Sequence, residues 1–552
     1  MREPKIRNPI LPGFNPDPSI VRVGADFYIA TSTFEWYPGV QIHHSKDLRH
    51  WRLAARPLNR AALLDMRGNP DSCGVWAPCL THADGQFWLI YTDVKRHRGQ
   101  NKDTHNYLAT CATIDGEWSD PVYMNSSGFD PSLFHDDDGR KWFVNMIWDY
   151  RPGRHPFGGV YLQEYDHDQR KLVGDITNIF RGTALGLTEA PHLYRRNGWY
   201  YLVTAEGGTG YNHAITIARS RDIRGPYEVD PQGYLLTSRN DRDLPLQRCG
   251  HGDLFDTPDG DTYLVHLCGR PLKGLRRCPL GRETGLQKTR WSDDGWLRIE
   301  GAEGDGLPSL EVPAPDLPEH PWPVTPVRRD FDEPELPPEF QWLRSPEPGR
   351  FMSLDARPGH LRLLGKESPG SWFEQALVAR RQEAFVYRAE TRMDFAPDNF
   401  QQLAGLICYY NADKFHYLYV SVDEEGRRYI GIWSVEGNPD RFGFFPLREG
   451  LTNPETFDPR FQLPDAGPVW LRAEVDHQAL RFSWSTDGER WQQAPVTLNY
   501  SLVSDEAGIG EGGSFTGAFV GMCCQDLSGQ DCPADFDWFD YEEHDNERAN
   551  TP

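Results

Sequence analysis

No run of 18 or more apolar residues occurs in the 552-residue chain, which excludes a hydrophobic membrane-spanning helix. The opening stretch, MREPKIRNPILPGFNPDP, lacks the apolar core of a secretion signal. Basic runs are missing too. Asp and Glu outnumber Lys and Arg by 81 to 58, for a net charge of −23, so the footprint of a nucleic-acid binder is absent. The ten cysteines show no CxxC spacing, which argues against a zinc ribbon or a redox pair. Scattered within apolar runs, they read as reduced, buried thiols of a cytoplasmic protein. What these absences leave open is a neutral or cationic small ligand.

The chain is rich in rings and turns: 18 Trp, 23 Tyr, 28 Phe, 52 Gly and 44 Pro. That mixture suits an all-β protein, and the length predicts two or more domains. A repeat runs through the first 270 residues. It reads DPSIVRVGADFYIATS from Asp17, APCLTHADGQFWLIYTD from Ala77 and DPSLFHDDDGRKWFVNM from Asp130. It returns as APHLYRRNGWYYLVTAE from Ala190 and HGDLFDTPDGDTYLVHL from His251. Each copy carries a hairpin signal: Gly24, Asp84-Gly85, Asp138-Gly139, Asn197-Gly198 and Asp259-Gly260. Five such units, 53 to 61 residues apart and without helical periodicity, predict a five-bladed β-propeller; a solenoid is the alternative. The acidic turn at 136–139 reads as a hairpin turn rather than a calcium loop.

In a propeller the starts of the innermost strands converge on one funnel. The residues there are Pro16/Asp17, Trp76/Ala77, Phe129/Asp130, Glu189/Ala190 and Gly250/His251. Asp17 lies between Pro16 and Pro18, which predicts a stiff, extended backbone. Three carboxylates in an aromatic-lined funnel point to cleavage of a glycosidic bond, two acting as acid and base and a third raising the acid's pKa. Pattern alone does not assign which is which. His251 reads equally as a satisfied core histidine or as a metal-site one.

Seven segments in order carry a resemblance: NPILPGFNPDPSI, STFEWYPGVQIHHSKDL, GVWAPCL, FDPSLFHDDDGRKWFVN, TEAPHLY, GHGDLFDTPDGDTYLVHL and LGRETGLQ. Together they resemble glycoside hydrolase family 43, in its two-domain β-xylosidase branch. The resemblance implies a five-bladed propeller and a single inverting displacement. It implies Asp17 as general base, Glu189 as general acid and Asp130 as the residue that raises and orients the acid. It further implies Arg282 as a sugar-hydroxyl ligand, and Phe34, Trp76, Phe129 and Trp148 as the pocket lining. No cofactor is required, with calcium beside His251 as the one metal candidate. Dimers or tetramers are implied as the assembly.

Ten prolines crowd residues 308–338, a stiff connector. Beyond it, FVYRAETRMDF, GLICYYNADKFHYLYVSV and LRFSWSTDGERW alternate like the strands of a β-sandwich. The expected division is a propeller over 1–306, the connector over 307–338 and a concanavalin-like sandwich over 339–552. The resemblance gives that sandwich a pocket-closing role, with Phe515 in EGGSFTGAFVG as the inserted aromatic. The leading expectation is an exo-acting enzyme that releases xylose from xylooligosaccharides, with an α-L-arabinofuranosidase side activity. A main arabinofuranosidase, a non-catalytic glycan-binding propeller and a retaining fructan-type enzyme are the alternatives.

Overall fold

In the computed structural model, five four-stranded antiparallel sheets follow one another along the first half of the chain. Residues 4–300, 306–437, 461–508, 510 and 513–544 are described. The innermost strands of blades 1 to 5 are Ser19–Val23, Gly74–Ala83, Ser132–His135, Glu189–Arg196 and Gln247–Asp256. Each runs into the second strand of its blade through the expected hairpin. Ala83 pairs with Gln86 across Asp84-Gly85, and Arg196 pairs with Trp199 across Asn197-Gly198. Both residues of each of these turns have positive φ, the geometry that matches strand twist. The acidic turn at 136–139 is likewise a hairpin loop, in which Asp136 pairs with Arg195 and Asp138 with Arg140.

The blades bury their faces against one another. Trp142, Val144 and Leu162 of blade 3 pack with Leu193, Leu202 and Ala218 of blade 4. Blades 2 and 3 meet through Trp88, Ile90, Leu133 and Phe143. Fully burying one such side chain contributes roughly 1.5–3 kcal/mol. Blade 5 meets blade 1 through Val265, Leu286, Ile20 and Phe27, and Ile6 and Val312 join that same cluster. Lys5–Arg7 pairs antiparallel with Glu311–Pro313. The first part of the proline-rich stretch is therefore packed chain, and Trp322 continues it with Arg52 4.0 Å above its ring.

Two compact units result. The first comprises residues 1–64, 72–270 and 282–323; the second comprises 65–71, 271–281 and 324–552. The second unit is a β-sandwich of two antiparallel sheets. One runs in the order Met352–Ser353, Leu361–Leu364, Pro533–Glu543, Val386–Phe395, Val469–Asp476, Ala479–Ser485 and Gln492–Gln493. The other includes Arg428–Glu436, Lys414–Val422, Gln402–Asn411, Phe519–Asp526, Ala376–Arg381 and Phe340–Leu343. Val386–Phe395 alternates half-buried and buried side chains along its whole length, the period-2 signal legible in its sequence. No helix among the described residues is long and apolar enough to cross a membrane.

Candidate active site

The five residues at which the repeat begins share an unusual backbone. Asp17 has a φ of +55°, Ala77 +34°, Asp130 +52°, Ala190 +49° and His251 +40°. The first four precede prolines 18, 78, 131 and 191. Proline closes the right-handed helical region to the residue before it. The sequence suggested extended backbone as the outcome at Asp17, whereas the structure takes the left-handed region. The cost is roughly 1–2 kcal/mol per residue, sustained by the surrounding ring of blades. Ladder pairing slips beside these points, between Trp76 and Cys79, between Glu189 and His192, and between Gln247 and Gly252. Such bulges re-aim side chains. Gly250 is needed for a separate reason: a Cβ there would lie 2.2 Å from the His213 ring.

Asp17 is buried and held on both oxygens. Arg282 Nη1 donates to Oδ1 at 2.9 Å, and Ser32 Oγ donates to Oδ2 at 2.7 Å. Ser32 Oγ in turn accepts the Ala77 N–H at 2.7 Å, which ties blade 1 to blade 2. Arg282 also donates to Thr209 Oγ1 at 3.0 Å and lies 5.1 Å from the Phe34 ring centre. Asp130 accepts the Ala190 N–H at 3.2 Å, joining blade 3 to the residue after Glu189.

Electrostatics separate the carboxyls. Burial, and then the Asp17 charge, push Glu189 up to about 8. Asp130 is also pushed well above the usual carboxylate range, by burial first and then by Glu189 and Asp17. Desolvation is the larger cause at Glu189 and the Asp17 charge the second. The result at neutral pH is a protonated Glu189 in the same funnel as an Asp17 bonded to a guanidinium.

The four expected aromatics form one arc. Ring centres are 5.7 Å apart from Phe34 to Trp76, 5.4 Å from Trp76 to Phe129 and 6.2 Å from Phe129 to Trp148. Aromatic faces of this kind suit the C–H faces of sugar rings. Phe515 lies in the second unit, half-buried ahead of the strand Phe519–Asp526, and Glu511 and Gly512 of its loop lie outside the described residues.

Three participants escaped the sequence reading. Lys102 bonds the His97 carbonyl and sits 4.4 Å over the Trp148 ring, and its charge is felt by Glu189. Glu206, fully buried, accepts from Thr183 N at 2.8 Å and from Thr188 Oγ1 at 3.2 Å, anchoring the residue before Glu189. Asp253 lies at the channel axis and accepts from Ser19 Oγ, the Ile20 N–H and Tyr194 OH. Lys102 and Glu206 lie outside the repeat anchors. Asp253 sits two residues past one, where a carboxylate gave no separate signal.

His251 Nδ1 is 3.7 Å from Asp17 Oδ1, and burial pushes its pKa down to about 4, so the ring is neutral. His213 and His192 offer nitrogens, and both Asp253 oxygens already accept hydrogen bonds. No group of three or more His, Cys, Asp or Glu among the described residues is placed to hold a metal ion.

A funnel that sets the protonated Glu189 carboxyl near an arginine-bonded aspartate beside an aromatic arc, in a five-bladed propeller, has the features of a glycoside hydrolase. The chain belongs to the glycosyl hydrolases family 43, whose family model matches residues 6–297, and residues 328–542 match the beta xylosidase C-terminal concanavalin A-like domain. It is 55% identical over 540 residues to the xylosidase/arabinosidase 43B of Humicola insolens, covering 98% of both chains. It is 50% identical to a beta-xylosidase of Bacillus subtilis, over 98% of this chain and all of that one. The crystal structure of the xylan beta-1,4-xylosidase from Bacillus halodurans superposes with a TM-score of 0.93 at 53% identity, covering 98% of this chain and 100% of the other. The chain is thus an enzyme that hydrolyses glycosidic bonds with inversion.

Proposed function

We propose that the enzyme is an exo-acting β-1,4-xylosidase that removes xylose from the non-reducing end of xylooligosaccharides. The observation that carries the mechanism is the split between Glu189, held protonated to about pH 8, and Asp17, bonded to Arg282 at 2.9 Å. Asp17 takes a proton from water as that water attacks the anomeric carbon. Glu189 gives its proton to the departing glycosidic oxygen. Asp130, bonded to the Ala190 N–H, positions the turn that carries Glu189. Arg282 steadies Asp17, to which it donates at 2.9 Å, and is the expected ligand of a sugar hydroxyl. The aromatic arc from Phe34 to Trp148 receives the ring, and Phe515 and the neutral His251 complete the expected set of substrate-binding residues.

The xylose preference is supported by the relatives, all three of which bear a xylosidase name. The name of the Humicola relative also includes arabinosidase, which supports α-L-arabinofuranoside cleavage as a side activity. A dimer or tetramer working in the cytoplasm belongs to the same reading, and sedimentation of the purified chain tests the assembly.

The deciding experiment follows the first-formed anomer by proton NMR during xylobiose hydrolysis, beside aryl β-xyloside and α-L-arabinofuranoside. Release of α-xylose is expected, and Asp17→Ala or Glu189→Ala should each lower kcat by about a thousandfold in a folded protein. Cleavage of the arabinoside without xylobiose would move the function to arabinofuranosidase, and wild-type rates in either variant would overturn the assignment.

A further inference from the structure

One cavity stands apart from this strongly acidic chain in its charge. A space of about 670 Å³ along blade 3 and the loops that flank it is lined by Lys102, Arg151, Arg154 and Arg181, against a single acid, Asp149. Asp149 is taken up by Arg151, whose Nε and Nη2 donate to it at 2.8 and 2.7 Å. Arg154 and Arg181 are exposed, and among the described residues neither guanidinium has an ion-pair partner or a side-chain hydrogen bond. The wall also carries Trp148 and Thr188. Thr188 directly precedes Glu189, and Lys102 lies over Trp148. The cavity therefore begins beside the carboxyl that donates to the leaving group.

We propose that this cavity receives a carboxylate-bearing leaving group, namely the part of a xylooligosaccharide beyond the scissile bond when it carries a uronic acid. The inference rests on the reading of Glu189 as general acid, which places the departing chain on this side. A neutral sugar needs hydroxyl partners and a ring face, which Ser126, Asn178 and Trp148 supply. It has no use for two unpaired guanidiniums. A carboxylate does, because the planar fork of arginine matches its two oxygens in paired, charge-assisted hydrogen bonds. The volume lies in the range that holds a ligand of more than one ring. Arg154 and Arg181 are then residues that determine specificity, drawing acidic decorated fragments toward the funnel of an enzyme whose overall charge would repel them.

The test uses the full chain and two substrates, a xylooligosaccharide bearing a uronic acid on the sugar next to the terminal xylose and its undecorated counterpart. The ratio of kcat/KM, charged over neutral, should exceed one by roughly tenfold at low salt. It should fall toward one in about 0.5 M NaCl, where screening shortens the reach of exposed charges, and in the double variant R154Q/R181Q. A ratio at or below one, or one unchanged in the double variant, would overturn the proposal. Calorimetric binding of both oligosaccharides to Glu189→Gln, with and without R154Q/R181Q, reads the same preference without turnover. Hydrolysis of both substrates at equal rates removes the anion site and leaves the xylosidase reading intact. Tighter, arginine-dependent binding of the charged oligosaccharide in a wild-type enzyme that cleaves neither removes the xylosidase reading and leaves the anion site.

Discussion

Glu189 sits in an environment far from that of a solvated carboxylate. Its carboxyl is pushed from an ordinary 4.5 up to about 8, so the folded protein holds a proton there that the unfolded chain releases. Stability from this group is therefore greatest below pH 4.5 and declines as pH rises toward 8. Glu189→Gln removes that dependence. Thermal melts should show the variant gaining on the wild type between about pH 5 and 8, with a constant gap above. The same proton governs turnover, so the alkaline limb of kcat/KM is expected near pH 8. A limb two units lower would mean that the acid is not this buried carboxyl. Asp17 and Asp130 were legible in the sequence because they open copies of a repeat, and Glu189 because it directly precedes the start of another. Arg282 was legible only through family resemblance, since nothing in LGRET marks a guanidinium that folds back 265 residues to Asp17. Lys102 was illegible because it stands in an irregular loop.

Among the elements, the five innermost strands combine open sequence signals with hidden geometry. Their number and starting points follow from the spacing of turn residues, since a hairpin is a local structure. Their left-handed starts do not, because local proline chemistry favours extended backbone there and only closure of the ring selects the alternative. These strands are tied to one another by polar side chains rather than by ladder bonds. Asp253 holds blade 1 through Ser19 and Ile20 and blade 4 through Tyr194. Asp253→Ala should therefore destabilise the propeller by about 3 kcal/mol, because it strands several buried donors at once. Urea denaturation measures this, and a loss below about 0.5 kcal/mol would show that the channel network is not structural. In the sandwich, strands such as Val386–Phe395 were readable from strict alternation. Gln402–Asn411, expected to alternate, is buried at every position, so its strand is present but both of its faces are covered.

At the scale of the whole molecule, the chain passes between its two units five times rather than once, at residues 64, 71, 270, 281 and 323. Segment 271–281 interrupts blade 5 and packs Leu272 and Leu280 with Phe385 in the second unit. Its destination is not legible in the sequence, because long-range exchange leaves no local pattern. A chain ended after residue 323 loses the partner of those leucines. It is expected to bind a hydrophobic dye and to melt at lower temperature than the full chain. A truncated protein with full stability would show that the exchange contributes nothing.

The ten thiols carry a practical consequence. All are buried and none is joined in a disulfide, and five belong to each unit. Burial pushes Cys79, Cys249, Cys408 and Cys523 up to about 12, so the reactive thiolate is scarce as well as inaccessible. An alkylating reagent mixed with the native enzyme meets almost nothing to modify until a region opens. Mass mapping of the first labelled peptides then becomes a clock built into the chain, recording which half of the molecule breathes first.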